Sequence, residues 1–118
     1  MAKRLKSFIY AFNGIRLVAI SQPNFIIHIV GALLAILLGI ILKISINEWL
    51  SIIIVIGVVL AAEIINSAIE DIVNFISPEK NQLAGKIKDM AAGAVLVTAI
   101  MALIVGIIIF LPKLLLLL

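Results

Sequence analysis

Long apolar runs separated by short polar stretches dominate the chain. The first run, 25–42, is interrupted only by His28, and the third, 90–111, has no charged residue. The second begins at Trp49 and continues to about Ile76. A helix crosses a membrane with about 20 predominantly apolar residues at 1.5 Å each. The pattern therefore predicts transmembrane helices over 24–43, 48–76 and 90–111, the second of which extends beyond the membrane.

Residues 3–20 have a different pattern. Leu5, Phe8 and Phe12 form part of an apolar stripe at helical spacing, and basic and polar residues occupy much of the other side. This is typical of an amphipathic helix lying on the membrane surface. Pro23 can begin a helix but cannot continue one, so we expect the surface helix to end just before it.

The connections are short and polar. Asn47 is a plausible N-cap for the second span. The charged stretch 79–88 predicts a polar connection before the third span, and Pro112 and Lys113 are expected to close that span.

Composition supports a membrane protein. The chain has 118 residues, 65% hydrophobic and 13% charged, with a mean hydropathy of +1.39. Soluble domains are about 45–50% apolar and about 25% charged. We therefore predict one all-α integral membrane domain over 1–118. Because cysteine is absent, disulfides and thiolate metal sites are excluded.

The basic residues predict an orientation. The net charge of +3 needs no nucleic acid to explain it, because basic residues flank membrane spans in any case. Seven lie on one predicted side (Lys3, Arg4, Lys6, Arg16, Lys80, Lys86 and Lys88) and two, Lys43 and Lys113, on the other. This asymmetry places the N-terminus and the 79–88 connection in the cytoplasm, the compartment that holds ATP.

One polar face interrupts the second span. Glu63, Asn66, Ser67 and Glu70 follow at i, i+3, i+4 and i+7, so they share one side of a helix. A carboxylate inside a membrane helix costs about 2.5–3.5 kcal/mol on insertion scales. Counting from Trp49 places Glu63 about 21 Å and Glu70 about 31 Å along the helix, at the hydrocarbon edge and the far interface. This face predicts a functional site.

The residue types suit phosphoryl transfer. Carboxylates that hold Mg²⁺ and lysines that hold phosphates are its usual components, and a carboxylate at the lipid boundary can act as a base. No P-loop or kinase glycine-rich loop is present. A transporter that uses Glu63 as a proton site and a structural polar seam remain alternatives. His28 is interpreted as a packed residue, and Arg16 as an interfacial anchor or a lipid contact.

Three sequence blocks are familiar: 63–70, the Ser77-Pro78-Glu79 turn, and 84–96. Together they resemble the prokaryotic diacylglycerol kinase family, which includes the undecaprenol kinases, from about Lys3 to Leu111. The resemblance implies a homotrimer of three-span subunits in the bacterial cytoplasmic membrane, each with an N-terminal surface helix. It implies transfer of the γ-phosphate of Mg-ATP to a lipid hydroxyl on the cytoplasmic side.

The resemblance also assigns roles. Glu63 corresponds to the proton acceptor, Asn66 to a residue that supports the catalytic site, and Glu70 to a metal ligand. The metal set is Glu70 and Gln22, and lipid contacts are expected from Glu63, Arg16 and Ser67. The nucleotide set comprises Lys3, Tyr10, Gln22, Glu70, Glu79, Lys80, Asn81, Lys88 and Asp89.

Two positions depart from the family pattern. Gln22 and Asn74 are amides where relatives commonly carry acids, and an amide oxygen brings no charge to a metal. A relative that has lost metal binding is therefore a third alternative. Diacylglycerol and undecaprenol are both candidate acceptors, and the patterns around 22–28 and 77–79 are slightly more similar to the undecaprenol branch.

Overall fold

The computed structural model describes all 118 residues as four α-helices without strands: α1 (Ala2–Ser21), α2 (Pro23–Ile41), α3 (Ile46–Ile76) and α4 (Gln82–Leu116). The helices α2, α3 and α4 are long and apolar enough to cross a membrane. The all-helical class with three candidate spans is thus confirmed. Because α3 has 31 residues, it is about 46 Å long and exceeds a hydrocarbon core of about 30 Å.

The first helix break occurs where the proline predicts it. Gln22 adopts an extended conformation and is both the C-cap of α1 and the N-cap of α2, and Pro23 is the first residue of α2. No residue of α1 is buried within the subunit. That α1 lies on a membrane surface stays a prediction.

A capping box, not Asn47, begins α3. The Ser45 hydroxyl accepts a hydrogen bond from the Glu48 amide at 3.2 Å, and the Glu48 Oε1 accepts one from the Ser45 amide at 3.0 Å. The prediction of Asn47 as the cap was wrong, because Ser45 has a glutamate three residues later and the pair satisfies two orphan amides reciprocally. Glu48 Oε2 also lies 2.7 Å from Lys113 Nζ and joins the start of α3 to the end of α4.

The other two boundaries also differ from the sequence-based prediction. The polar connection is only 77–81, because Asn81 Oδ1 accepts hydrogen bonds from the Leu83 and Ala84 amides at 2.8 and 3.4 Å and begins α4 at Gln82. Residues 82–88 are therefore helical. At the other end α4 continues through Pro112 to Leu116. One proline removes a single backbone donor, and the leucines beyond it continue the helix.

The packed core lies at the end of the bundle that holds the α2–α3 turn. Ile44, Ile52, Ile109 and Phe110 form a buried cluster there. Gly39 is buried beside it, and a Cβ at this position would lie 2.7 Å from Cη2 of Trp49. A Cβ on Gly31, eight residues earlier on α2, would meet no atom within 4 Å.

Most of the apolar surface remains uncovered by protein. Only 13 of 118 residues are buried, while leucines, isoleucines and valines along all three long helices are exposed. Apolar surface on this scale is stable in lipid and unstable in water. The chain is therefore an integral membrane protein.

Candidate functional site

The polar face of α3 continues its buried apolar stripe. Ile52, Val55 and Val59 are buried on this helix, followed at helical spacing by Glu63, Asn66 and Ser67. Because the stripe keeps one direction, the polar side chains point into the subunit and away from lipid. Glu70, one turn later, is half-buried. The structure thus brings together the four residues that the spacing placed on one face.

Glu63 is the most enclosed charged residue of the chain, at 2% exposure. Its Oε2 lies 3.6 Å from Nε2 of His28, which projects from α2 and is 23% exposed. No lysine or arginine nitrogen lies within 4.0 Å of this carboxylate. The histidine is therefore the only basic neighbour of Glu63 within the subunit.

Asn66 connects the enclosed part of the site to its outer part. Its Nδ2 donates to Glu70 Oε1 at 3.3 Å, while its Oδ1 is buried without a hydrogen-bond partner. Buried polar atoms are nearly always satisfied, so this oxygen is an acceptor open to a water, another donor or a cation. The Ser67 hydroxyl donates to the Glu63 carbonyl at 2.9 Å and so has its proton committed to the backbone.

A polar cavity of about 480 Å³ lies beyond Glu70, where α3 ends and α4 begins. Ser77 lines it and donates its hydroxyl to the carbonyl of Glu79 at 3.2 Å. Four members of the predicted nucleotide set line it: Glu79, Lys80, Asn81 and Lys88. Asn74 also lines it. This end of the bundle therefore combines two lysine side chains with open polar space.

The remaining predicted residues form no hydrogen bond or ion pair with these groups. Lys3, Tyr10 and Arg16 are exposed along α1, and Asp89 is exposed on α4. None of them forms an ion pair. Gln22 is half-buried at the α1–α2 joint, and its side chain makes no hydrogen bond. Their predicted roles stay predictions.

An apolar groove of about 420 Å³ lies between α2, α3 and α4. Small residues, among them Gly31 and Ala35 of α2 and Gly106 of α4, form much of its wall. His28 is the only residue with a polar side chain that lines it. The groove therefore joins a lipid-like environment to the His28–Glu63 contact.

The contact of His28 with Glu63 is not predicted from the sequence, because the register of α2 against α3 that sets it is visible only in the structure. Gly39 and Trp49 meet across the α2–α3 hairpin. His28 lies 11 residues before Gly39, and Glu63 lies 14 residues after Trp49. In antiparallel helices similar offsets from a contact reach similar depth, so this count places the histidine within about one turn of Glu63.

The oxygen donors suit a metal–nucleotide complex better than a free ion. No group of three or more histidines, cysteines and acids is assembled. Glu70 supplies one carboxylate, and the unpartnered Asn66 Oδ1 is a second hard oxygen beside it. Mg²⁺ is usually bound by one or two carboxylates together with substrate phosphates. The residues present therefore fit Mg²⁺ that arrives with a phosphate ligand.

Comparison with known proteins gives a consistent set of relatives. Residues 9–110 match the family described as prokaryotic diacylglycerol kinase. The chain is 41% identical over 109 residues to the undecaprenol kinase of Bacillus subtilis, covering 92% of this chain and 89% of that protein. It is 34% identical over 100 residues to the diacylglycerol kinase of Escherichia coli K12, covering 85% and 82%.

Proposed function

We propose, starting from the fact that this chain belongs to the prokaryotic diacylglycerol kinase family and is a lipid kinase, that it transfers the γ-phosphate of ATP to a polyprenol or diacylglycerol hydroxyl with Mg²⁺ bound. Undecaprenol is the preferred acceptor in this proposal, because the relative at 41% identity carries that name, against 34% for the diacylglycerol kinase. The active site faces the cytoplasm of a bacterial inner membrane, and the working unit is a homotrimer.

The observation that carries the proposal is the graded polarity along α3. Glu63 is enclosed beside an apolar groove, Asn66 lies one turn further, and Glu70 leads to the polar cavity. A lipid hydroxyl needs the apolar end, and a nucleotide needs the polar end. Their reacting atoms would meet between the two carboxylates.

The reaction assigns each of these residues a task. Glu63 accepts the proton as the lipid O–H bond breaks, a lipid O–P bond forms, and the bond from the γ-phosphorus to the β-phosphate oxygen breaks to release ADP. The enclosure of Glu63 excludes bulk water, so the phosphoryl group reaches the lipid oxygen and is not hydrolysed. Lys80 and Lys88, beside the polar cavity, neutralise phosphate charge.

Glu70 and Asn66 are the residues that would hold the metal. Asn66 orients Glu70 through its Nδ2 and keeps its own Oδ1 free for the cation. When bound there, Mg²⁺ neutralises charge on the transferring phosphoryl group. Gln22 adds a neutral oxygen at most, because it is an amide where relatives commonly carry an acid.

A direct assay tests the proposed function. Purified protein in mixed micelles is given Mg-ATP and either undecaprenol or diacylglycerol, and phosphate transfer to the lipid is measured. We expect transfer to both lipids, with the higher kcat/KM for undecaprenol. A preference for diacylglycerol would overturn the acceptor assignment, and transfer to neither lipid would favour the transporter or inactive-relative alternatives.

A carboxylate at position 22 tests the metal assignment. Purified Gln22→Glu protein should need less Mg²⁺ for half-maximal activity, because a second charged oxygen would join Glu70. The measurement is initial rate against free Mg²⁺ at saturating ATP. An unchanged Mg²⁺ requirement would remove Gln22 from the metal shell, and Asn24→Asp, two residues away, provides a control for added negative charge nearby.

A further inference from the structure

We propose that His28 is a positioning residue for Glu63: its imidazole donates Nε2–H to Glu63 Oε2 and thereby aims the other carboxylate oxygen at the lipid hydroxyl. This inference rests on the proposed function, because the proposed reaction supplies the proton that Glu63 accepts. It adds a residue on a different helix to the catalytic face of α3.

The geometry favours a specific contact. His28 Nε2 and Glu63 Oε2 lie 3.6 Å apart and belong to different helices, α2 and α3. A small rotation of either side chain brings this pair to the hydrogen-bonding range of about 2.7–3.2 Å. Catalytic hydrogen bonds are often long before substrate binds and shorten in the complex. His28 is moreover the only residue with a polar side chain in the groove wall.

The electrostatics explain why the partner is an imidazole. An enclosed carboxylate needs at least one donor, because an unsatisfied buried charge is costly. A lysine or arginine at this distance would form a full ion pair, which favours the charged carboxylate and opposes proton uptake from the lipid. An imidazole, unlike these two side chains, can donate an N–H and fix the direction of the carboxylate without a permanent charge. It therefore orients the base and leaves it able to accept a proton.

The proton balance follows from this assignment. The proton from the lipid hydroxyl moves to Glu63 Oε1, and the imidazole keeps its own proton on Nε2 throughout the transfer. His28 therefore positions the base and exchanges no proton. The assignment differs from simple packing, because a packing role would need the volume of the ring and not its N–H group.

Two substitutions separate these roles. His28→Phe keeps a ring without a donor, and His28→Gln places an amide N–H near the position of Nε2. We expect His28→Phe to lower kcat about 10–100-fold with KM for ATP unchanged, as for other groups that orient a reacting ligand. His28→Gln should recover most of that loss. Leu33→Phe, on an exposed face of α2, is the matched control for an added ring and should retain the wild-type rate.

A double substitution and a spectroscopic measurement complete the test. In the Glu63→Gln background, adding His28→Phe should cause no further loss of kcat, because His28 acts only through Glu63. The infrared band of the Glu63 carboxylate is assigned from the difference between wild type and Glu63→Gln. We expect the frequency of that band to be shifted in His28→Phe and close to the wild-type value in His28→Gln. Should His28→Phe fail to fold, His28→Leu replaces it.

A His28→Phe variant with the wild-type kcat and an unshifted carboxylate band would overturn the inference. So would equal losses of kcat in His28→Phe and His28→Gln, or losses of kcat that add to that of Glu63→Gln in the double variant. The two proposals fail differently. Absence of lipid phosphorylation by the wild-type protein overturns the proposed function, whereas an active wild type with a fully active His28→Phe variant overturns only the role of His28. The infrared band reports on the contact even when no phosphate is transferred.

Discussion

Replacing Glu63 by glutamine is expected to lower kcat for lipid phosphorylation about 100- to 10,000-fold, the range lost when a general base is removed. The amide has nearly the same shape as the carboxylate but cannot accept the proton of the lipid hydroxyl. Because Glu63 lies about two turns from Glu70 along α3, KM for ATP should stay close to that of the wild type. Steady-state kinetics in mixed micelles, with ATP and lipid varied in turn, measures both constants.

The matched control is Asp71→Asn, an acid-to-amide change on the same helix. Asp71 is exposed and points about 100° away from Glu70 around the helix, so its loss should leave both constants unchanged. Thermal unfolding of each variant in detergent checks that the fold is retained. A Glu63→Gln variant that keeps more than about a tenth of the wild-type kcat contradicts the assignment of Glu63 as the base.

The sequence predicts the buried polar face of α3 well because two strong periodic signals coincide there. The buried stripe of Ile52, Val55 and Val59 sets the inward direction of the helix, and the same period carries it to Glu63 and Asn66. Membrane insertion makes acids on such a stripe costly, so their presence is itself informative. The length and hydropathy of the apolar runs predicted the three candidate spans equally well.

The side-chain hydrogen bonds that begin α3 and α4 were not predicted from these periodic patterns. Ser45 and Asn47 are both acceptable N-caps, and only the return contact from Glu48 decides between them. Asn81 similarly begins α4 within a stretch whose charges predict a loop. In both cases two short side-chain contacts outweigh the composition of the segment, and run-length patterns do not record such contacts.

Contacts between helices were the hardest feature to predict from the sequence. A lone histidine in an apolar run carries no partner at metal spacing, so packing was the natural interpretation of His28. Its contact with Glu63 depends on the register of the α2–α3 hairpin, which the close approach of Gly39 to Trp49 fixes. The predicted contributions of Lys3, Tyr10 and Arg16 depend on how α1 meets the site. Within one subunit those side chains remain exposed, so their roles stay predictions.

Replacing Glu70 by glutamine should raise the Mg²⁺ concentration for half-maximal activity by at least about 100-fold, because the substitution removes the only carboxylate in the proposed metal shell. Asn66 would still orient the side chain, since the amide oxygen can accept from its Nδ2 as Oε1 does. The loss should therefore come from charge and not from misplacement. Rates measured against free Mg²⁺ at saturating ATP, with Asp71→Asn as control, report the shift. A Mg²⁺ requirement equal to that of wild type would remove Glu70 from the metal shell.

Moving the acid from one predicted ligand to the other tests whether both bind one ion. The Gln22→Glu, Glu70→Gln double variant has the same net charge as wild type, with its carboxylate at position 22. If both side chains reach the same Mg²⁺, the double variant should need less Mg²⁺ than Glu70→Gln alone. Because Asn66 contacts residue 70 and not residue 22, the recovery should be partial. A double variant no better than Glu70→Gln would leave Glu70 as the metal ligand and show that a carboxylate at position 22 does not reach the same ion.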